Sequence, residues 1–140
     1  MAVCCAGQRA VSGDRLLNEL DLALYDFRKR DIRRAHGDDI EYPTGVSLGA
    51  ERILLTSFAD GSLQILRRSD YSTETRVHEL PAPSAAIELP DGRIAVSLMA
   101  SGEIRLFAAD LQEHTILASD LHGPVSMQLG QDGALYLTEA

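Results

Sequence analysis

Arg52-Ile53-Leu54-Leu55, Arg93-Ile94-Ala95-Val96 and Ala134-Leu135-Tyr136-Leu137 follow one another at intervals of 41 residues. What comes after them keeps the same step. Asp60-Gly61 leads to Leu63 and Ile65, and Ser101-Gly102 leads to Ile104 and Leu106. The same interval counted back from Leu63 and Ile65 reaches Leu22 and Leu24. Pro43, Pro83 and Pro124 open the units, with a slip of one residue between them. A period of about 40 residues, with several short strands and fixed turn positions, marks β-propeller blades. The fold class predicted is therefore all-β: blades that are four-stranded antiparallel sheets, arranged in an incomplete ring.

Turn chemistry and burial patterns agree with this reading. Asp91-Gly92 and Asp132-Gly133 are strong hairpin signals, because glycine takes the positive φ that tight turns need. The second strand of each unit is apolar at every position, as in Ile53-Leu54-Leu55, which implies burial on both faces. The third strands alternate, with Gln64 between Leu63 and Ile65 and Arg105 between Ile104 and Leu106, so one wet face is expected there. Proline has no N–H for a ladder, which suits a place just before each first strand.

The segments PVSMQLGQDGALYLTEA and PSAAIELPDGRIAVS resemble the six-bladed propeller superfamily of NHL repeats, SMP-30/gluconolactonase, strictosidine synthase-like proteins and streptogramin lyase. The resemblance spans roughly residues 20–140 and is more specific for the architecture than for any one member. In the gluconolactonase group it implies calcium-binding Asn and Asp residues at the start of the inner strands. Thr44, Ser84 and Val125 stand there instead. Calcium is thus implied only if a gluconolactonase-like activity holds, and no other cofactor or metal is evident. Streptogramin lyase-like blades also carry a Thr-Glu pair where Thr138-Glu139 stands.

The chain has 140 residues, enough for one ordinary domain and for fewer blades than the four to eight of a closed propeller. The expected division is a frayed N-terminus over 1–14, a partial blade or an N-terminal helix over 15–42, a blade over 43–82, a blade over 83–123, and a half blade over 124–140. The helix alternative rests on Leu16, Leu17, Leu20, Leu24 and Phe27 falling on one face, with Ser12 as N-cap. The repeat register favours strands, with 31–36 as the outer one. The expectation is a part of a longer propeller; the alternatives are a truncated gene product or a protomer whose copies complete the ring as a homo-oligomer, since open blade edges are otherwise sticky.

A net charge of −8 argues against nucleic acid and anionic membranes as partners. No apolar run approaches the roughly 20 residues of a membrane span, and the start MAVCCAGQRAV lacks the form of a signal peptide. Cys4 and Cys5 are adjacent and are the only cysteines, so a disulfide framework is excluded. A cytoplasmic setting is the expectation.

Propellers act mainly at one mouth of their channel. Thr44, Ser84, Ser126 and Glu139 are the candidates to face it, each with an ordinary reading as a turn or strand-end residue. Arg28, Lys29, Arg30, Arg33 and Arg34 form a basic run that could grip an acidic partner or a phosphate. The alternative is a solvated rim balanced by Asp26, Asp31, Asp38 and Asp39. His36 and His78 lie 42 residues apart, each ending an outer strand, which makes them a repeat position. HExxH, GxSxG, GxGxxG and GxxxxGK[ST] are absent. Catalytic residues are not identifiable, and whether the chain is an enzyme is left open. The leading expectation is a binding or interaction module for a protein or small molecule; the alternative is a portion of a gluconolactonase-like hydrolase.

Overall fold

The computed structural model describes the backbone of residues 2–11, 15–26, 28, 30–36 and 43–140, and the side chains of Arg28, Arg30 and residues 43–140. The described residues form thirteen β-strands in four antiparallel sheets. The first sheet has three strands, β1 (Ala2–Val11), β2 (Arg15–Asp26) and β3 (Asp31–His36). The second has four: β4 (Pro43–Leu48), β5 (Arg52–Ser57), β6 (Ser62–Arg67) and β7 (Thr73–Val77). The third repeats it with β8 (Pro83–Glu88), β9 (Ile94–Leu98), β10 (Glu103–Phe107) and β11 (His114–Ala118). The fourth has β12 (Pro124–Leu129) and β13 (Leu135–Glu139).

Strands in each sheet follow chain order, and β4, β8 and β12 pack beside one another as the inner strands of successive blades. Each second strand also lies against the first strand of the next sheet: β5 against β8 and β9 against β12. This is propeller packing, and the sheets do not close into a ring.

The core sits between blades. Leu54, Leu63 and Ile65 of the second sheet meet Ala86, Ile94, Val96 and Leu98 of the third. Ala95 and Ile104 of the third meet Met127 of the fourth, with Leu135 and Leu137 packed against them. Side chains alternate along a strand, so Val96 faces back toward the second sheet and Ala95 faces forward to the fourth. Burying an aliphatic side chain of this size stabilises by about 1.5–3 kcal/mol. The fully apolar second strands are therefore the main source of cohesion between blades.

The third strands differ from expectation. In β6 every residue from Ser62 to Leu66 is buried, Gln64 included. Gln64 Nε2 donates to Thr73 Oγ1 at 2.6 Å, while its buried Oε1 has no hydrogen-bond partner among the described residues. Arg105 is half-buried and pairs with Glu103 at 2.9 Å.

The N-terminal part differs at its start, where residues 2–11, expected to be frayed, form β1; residues 15–36 contain β2 and β3, the strands that the repeat register favours over the helix alternative. The reason is register. Leu22 pairs with Cys4 as Ile104 pairs with Ser97, so Ala2-Val3-Cys4 occupies the place of Ala95-Val96-Ser97. The β1–β2 hairpin is longer than its counterparts, and a search at constant period misses it. Ser12, Phe27 and the Gly37-Asp38-Asp39 loop lie outside the described residues.

Candidate functional site

Pro43, Pro83 and Pro124 each begin an inner strand, and each is followed by a register shift. Proline lacks the N–H that would continue the ladder, and the next residue is left over as a bulge that turns its side chain aside. The bulged residues are Thr44, Ser84 and Val125. In the first two, the hydroxyl reaches the next blade. Thr44 Oγ1 donates to Pro83 O at 3.3 Å, and Ser84 Oγ donates to Pro124 O at 2.7 Å. Thr56 Oγ1 donates to Ser84 O at 3.3 Å, and Ser84 Oγ lies 2.8 Å from Ser97 Oγ. These hydroxyls form a polar chain that ties neighbouring blades at the proline end of the inner strands.

Ser126 is exposed on β12 and stands opposite Thr138. Glu139, also exposed, accepts the backbone N–H of His122 at 2.7 Å through Oε1, which fastens the connection before β12 to the end of β13. Of the four candidates, Thr44 and Ser84 belong to one hydrogen-bonded group and Glu139 to another, and Ser126 belongs to neither.

Arg28 and Arg30 are exposed between β2 and β3, and Arg30 has a φ of 51°. Arg33 and Arg34 are neighbours on β3, opposite Leu24 and Ala23. The basic run is thus divided between a turn and a strand. Lys29 lies outside the described residues.

The sequence reading missed the most developed polar feature. At the end of the blades opposite the mouth, Arg52 bridges the second and third sheets. Its Nε donates to Glu88 Oε1 at 2.8 Å, and its Nη2 also contacts that oxygen. Nη1 donates to Ala109 O at 2.8 Å and Nη2 to Gly92 O at 2.9 Å. Glu88 Oε2 accepts the Ala50 N–H at 3.0 Å. Arg68 Nη1 donates to Gly49 O and Ala50 O. Between the β4–β5 and β6–β7 turns lies an open groove of about 880 Å³, lined by Arg52, Arg67, Arg68, Glu51, Glu74 and Glu88 among others. Beside it, the Ser72 hydroxyl and then the Ser72 N–H hold Asp70 below the usual carboxylate range. Arg52 recurs as Arg93 in the next unit, but Glu88 has no such counterpart, so period alone could not reveal the pair.

Among the described residues, no three His, Cys, Asp or Glu side chains converge as a metal site would require. No helix there is long and apolar enough to cross a membrane.

No family model matches the sequence, and no curated protein matches it significantly. Solved structures do match. A catalytically inactive variant of virginiamycin B lyase from Staphylococcus aureus, with quinupristin, superposes with a TM-score of 0.68 at 14% identity, over 99% of this chain and 54% of that one. A streptogramin B lyase gives 0.70 at 15% identity, over 88% and 45%. A protein of Bacteroides uniformis assigned as a 6-phosphogluconolactonase gives 0.62 at 16% identity, over 85% and 42%. The chain spans about half the length of these structures, and at such identities the likeness establishes the fold alone: the protein is built of β-propeller blades like theirs.

Proposed function

We propose that this chain is a binding module, a set of propeller blades that holds a ligand or partner at the groove opposite the mouth. One observation carries the reading: the groove combines three arginines with three glutamates in a volume of about 880 Å³. Thr44 and Ser84 hold blades together through their hydroxyls, and Arg52 and Glu88 do so at the wall of the groove, which leaves Glu51, Arg67 and Glu74 to meet a ligand there. Alternating charge suits a polar, mixed-charge segment of a partner protein, because each sign can be matched locally. An NMR titration with a short Lys/Glu peptide tests this. Amide shifts confined to residues 49–52 and 67–74 are expected, and their absence at millimolar peptide overturns the groove as the binding surface.

The second reading is a portion of a gluconolactonase-like or lyase-like enzyme, favoured by the names of the structures with the same fold. Its test is turnover of a lactone panel, 6-phosphogluconolactone included, with calcium and with chelator. Hydrolysis above buffer that is lost on chelation would replace the binding reading with this one.

A further inference from the structure

One row of positions recurs in the second and third sheets with different bonding. Asp60, Ser62 and Gln64 become Ser101, Glu103 and Arg105 one repeat later, 41 residues on. Leu63 and Ile65 pack toward the third sheet and Ile104 toward the fourth. Side chains alternate along a strand, so Ser62 and Gln64 lie on the other face of β6, and Glu103 and Arg105 on the other face of β10. In the third sheet the row closes on itself. A single oxygen, Glu103 Oε2, accepts from Ser101 Oγ at 3.1 Å and from Arg105 Nε at 3.0 Å.

In the second sheet the same row is more deeply buried and lacks those bonds. Ser62 and Gln64 are fully buried, and Asp60 is half-buried with its Oδ2 enclosed. Asp60 Oδ2, Ser62 Oγ and Gln64 Oε1 meet no hydrogen-bond partner among the described residues. The reason is length: the Ser62 side chain ends at its Oγ, well short of the place where Glu103 carries its bridging oxygen. Gln64 Nε2 is committed to Thr73 Oγ1, so Oε1 is the atom left over. Buried polar groups are nearly always bonded to protein or to ordered water, so three in one row call for a common occupant.

We propose that a file of two buried water molecules bridges Asp60, Ser62 and Gln64, in the part that the Glu103 carboxylate plays one blade on. An ionised carboxylate and an amide oxygen only accept, whereas a hydroxyl both accepts and donates. The occupant must therefore donate at both ends of the row. Ser62 and Gln64 stand about 6.7 Å apart along one face of the strand, a step that their side chains and one water between them can cover. The first water donates to Asp60 Oδ2 and to Ser62 Oγ. The Ser62 hydroxyl donates to the second water, which donates to Gln64 Oε1. A hard cation is the poorer occupant, because it wants about six to eight oxygens and the row offers three. Asp60 belongs to the turn between β5 and β6, so the file fastens that turn to the buried strand behind it.

Oxygen-17 relaxation dispersion on the full chain counts long-lived internal waters and is blind to hydroxyl exchange. Asp60→Ser, Ser62→Glu and Gln64→Arg together transplant the row of the third sheet. They should lower the count by about two with the circular dichroism unchanged. An unchanged count in the folded variant overturns the proposal. A crystal structure of the unmodified chain gives the answer if the triple variant does not fold. It should show water density within hydrogen-bond distance of Asp60 Oδ2, Ser62 Oγ and Gln64 Oε1, and well-ordered side chains without such density overturn the proposal as well. Calcium chloride at millimolar concentration should leave the amide shifts of residues 60–64 in place. A saturable shift there would put a cation in the row and overturn the assignment to water.

Discussion

Removing the Arg52 side chain tests whether blades are held by polar clamps as well as by apolar packing. Arg52 and Glu88 are 14% and 13% exposed at the side chain, so water screens the pair only in part. The guanidinium donates to one carboxylate and two carbonyls in two turns of the next blade. Hydrogen bonds to charged groups contribute about 1.5–3 kcal/mol each, though not additively. Breaking a fully buried pair costs about 3–5 kcal/mol, and the residual exposure here places Arg52→Ala at the low end, about 3 kcal/mol. With a urea slope of about 2 kcal/mol/M, the unfolding midpoint should fall by about 1.5 M. Arg52→Lys should recover little of this, because an ammonium cannot span the carboxylate and both carbonyls at once. The control is Arg93, the same repeat position. It is half-exposed and pairs with Asp91 of its own turn at 2.7 Å, so Arg93→Ala should leave the midpoint where it is. A midpoint for Arg52→Ala within about 0.3 M of wild type, on the same slope, would refute the clamp.

Ser84→Ala removes the bond to Pro124 O and one contact of the buried Ser97 hydroxyl, which keeps its bonds to the Ala85 backbone, and should cost about 1 kcal/mol in a thermal or urea melt. Gly102→Ala should be among the most damaging single-methyl changes, since φ is +65° and the new Cβ would sit 2.4 Å from Leu121 O. Gly133→Ala, with φ +80° and open space around it, should show only the backbone strain of about 1 kcal/mol in the same melt. Asp91 and Asp132 should titrate below the usual 3.8 in a carboxyl NMR series, Asp91 because Arg93 donates to it and Asp132 because the Ala134 N–H and then the Tyr136 hydroxyl do. Their folded values are depressed, so their contribution to stability is complete above 3.8 and is lost as pH falls through the lower folded values; Asp132→Asn should remove its share of that acid dependence.

The blade was legible because its determinants are local and periodic. Prolines mark strand starts, Asp-Gly marks turns, and Ile53-Leu54-Leu55 and its copies mark doubly buried strands. The same periodicity hid what departs from it. β1 escaped because its hairpin is longer than the repeat allows, although Ala2-Val3-Cys4 parallels Ala95-Val96-Ser97. Gln64 read as a wet position because its side chain is polar, yet it is buried with the Thr73 hydroxyl bonded to its Nε2. Thr44 and Ser84 were identified as mouth residues by position, but their bond partners are the prolines of the next blade, 39 and 40 residues on, and no local pattern shows those. Arg52 and Glu88 are 36 residues apart and have no periodic counterpart as a pair.

Repeat symmetry turns each such departure into a statement about role. Equivalent positions share a backbone environment, so a difference in residue type reflects what the neighbouring blade requires. Thr44 and Ser84 supply a hydroxyl to a following blade, whereas Val125 supplies an apolar surface at the same bulge. Leu54 and Ala95 are covered by a following blade, whereas Tyr136 presents a large ring with a hydroxyl that Asp132 accepts at 2.9 Å. Arg52 finds Glu88 on the next sheet, whereas the position matching Glu88 for Arg93 is Leu129, and Arg93 pairs with Asp91 of its own turn. The junction between the second and third sheets is thus bonded by hydroxyls at one end and an ion pair at the other.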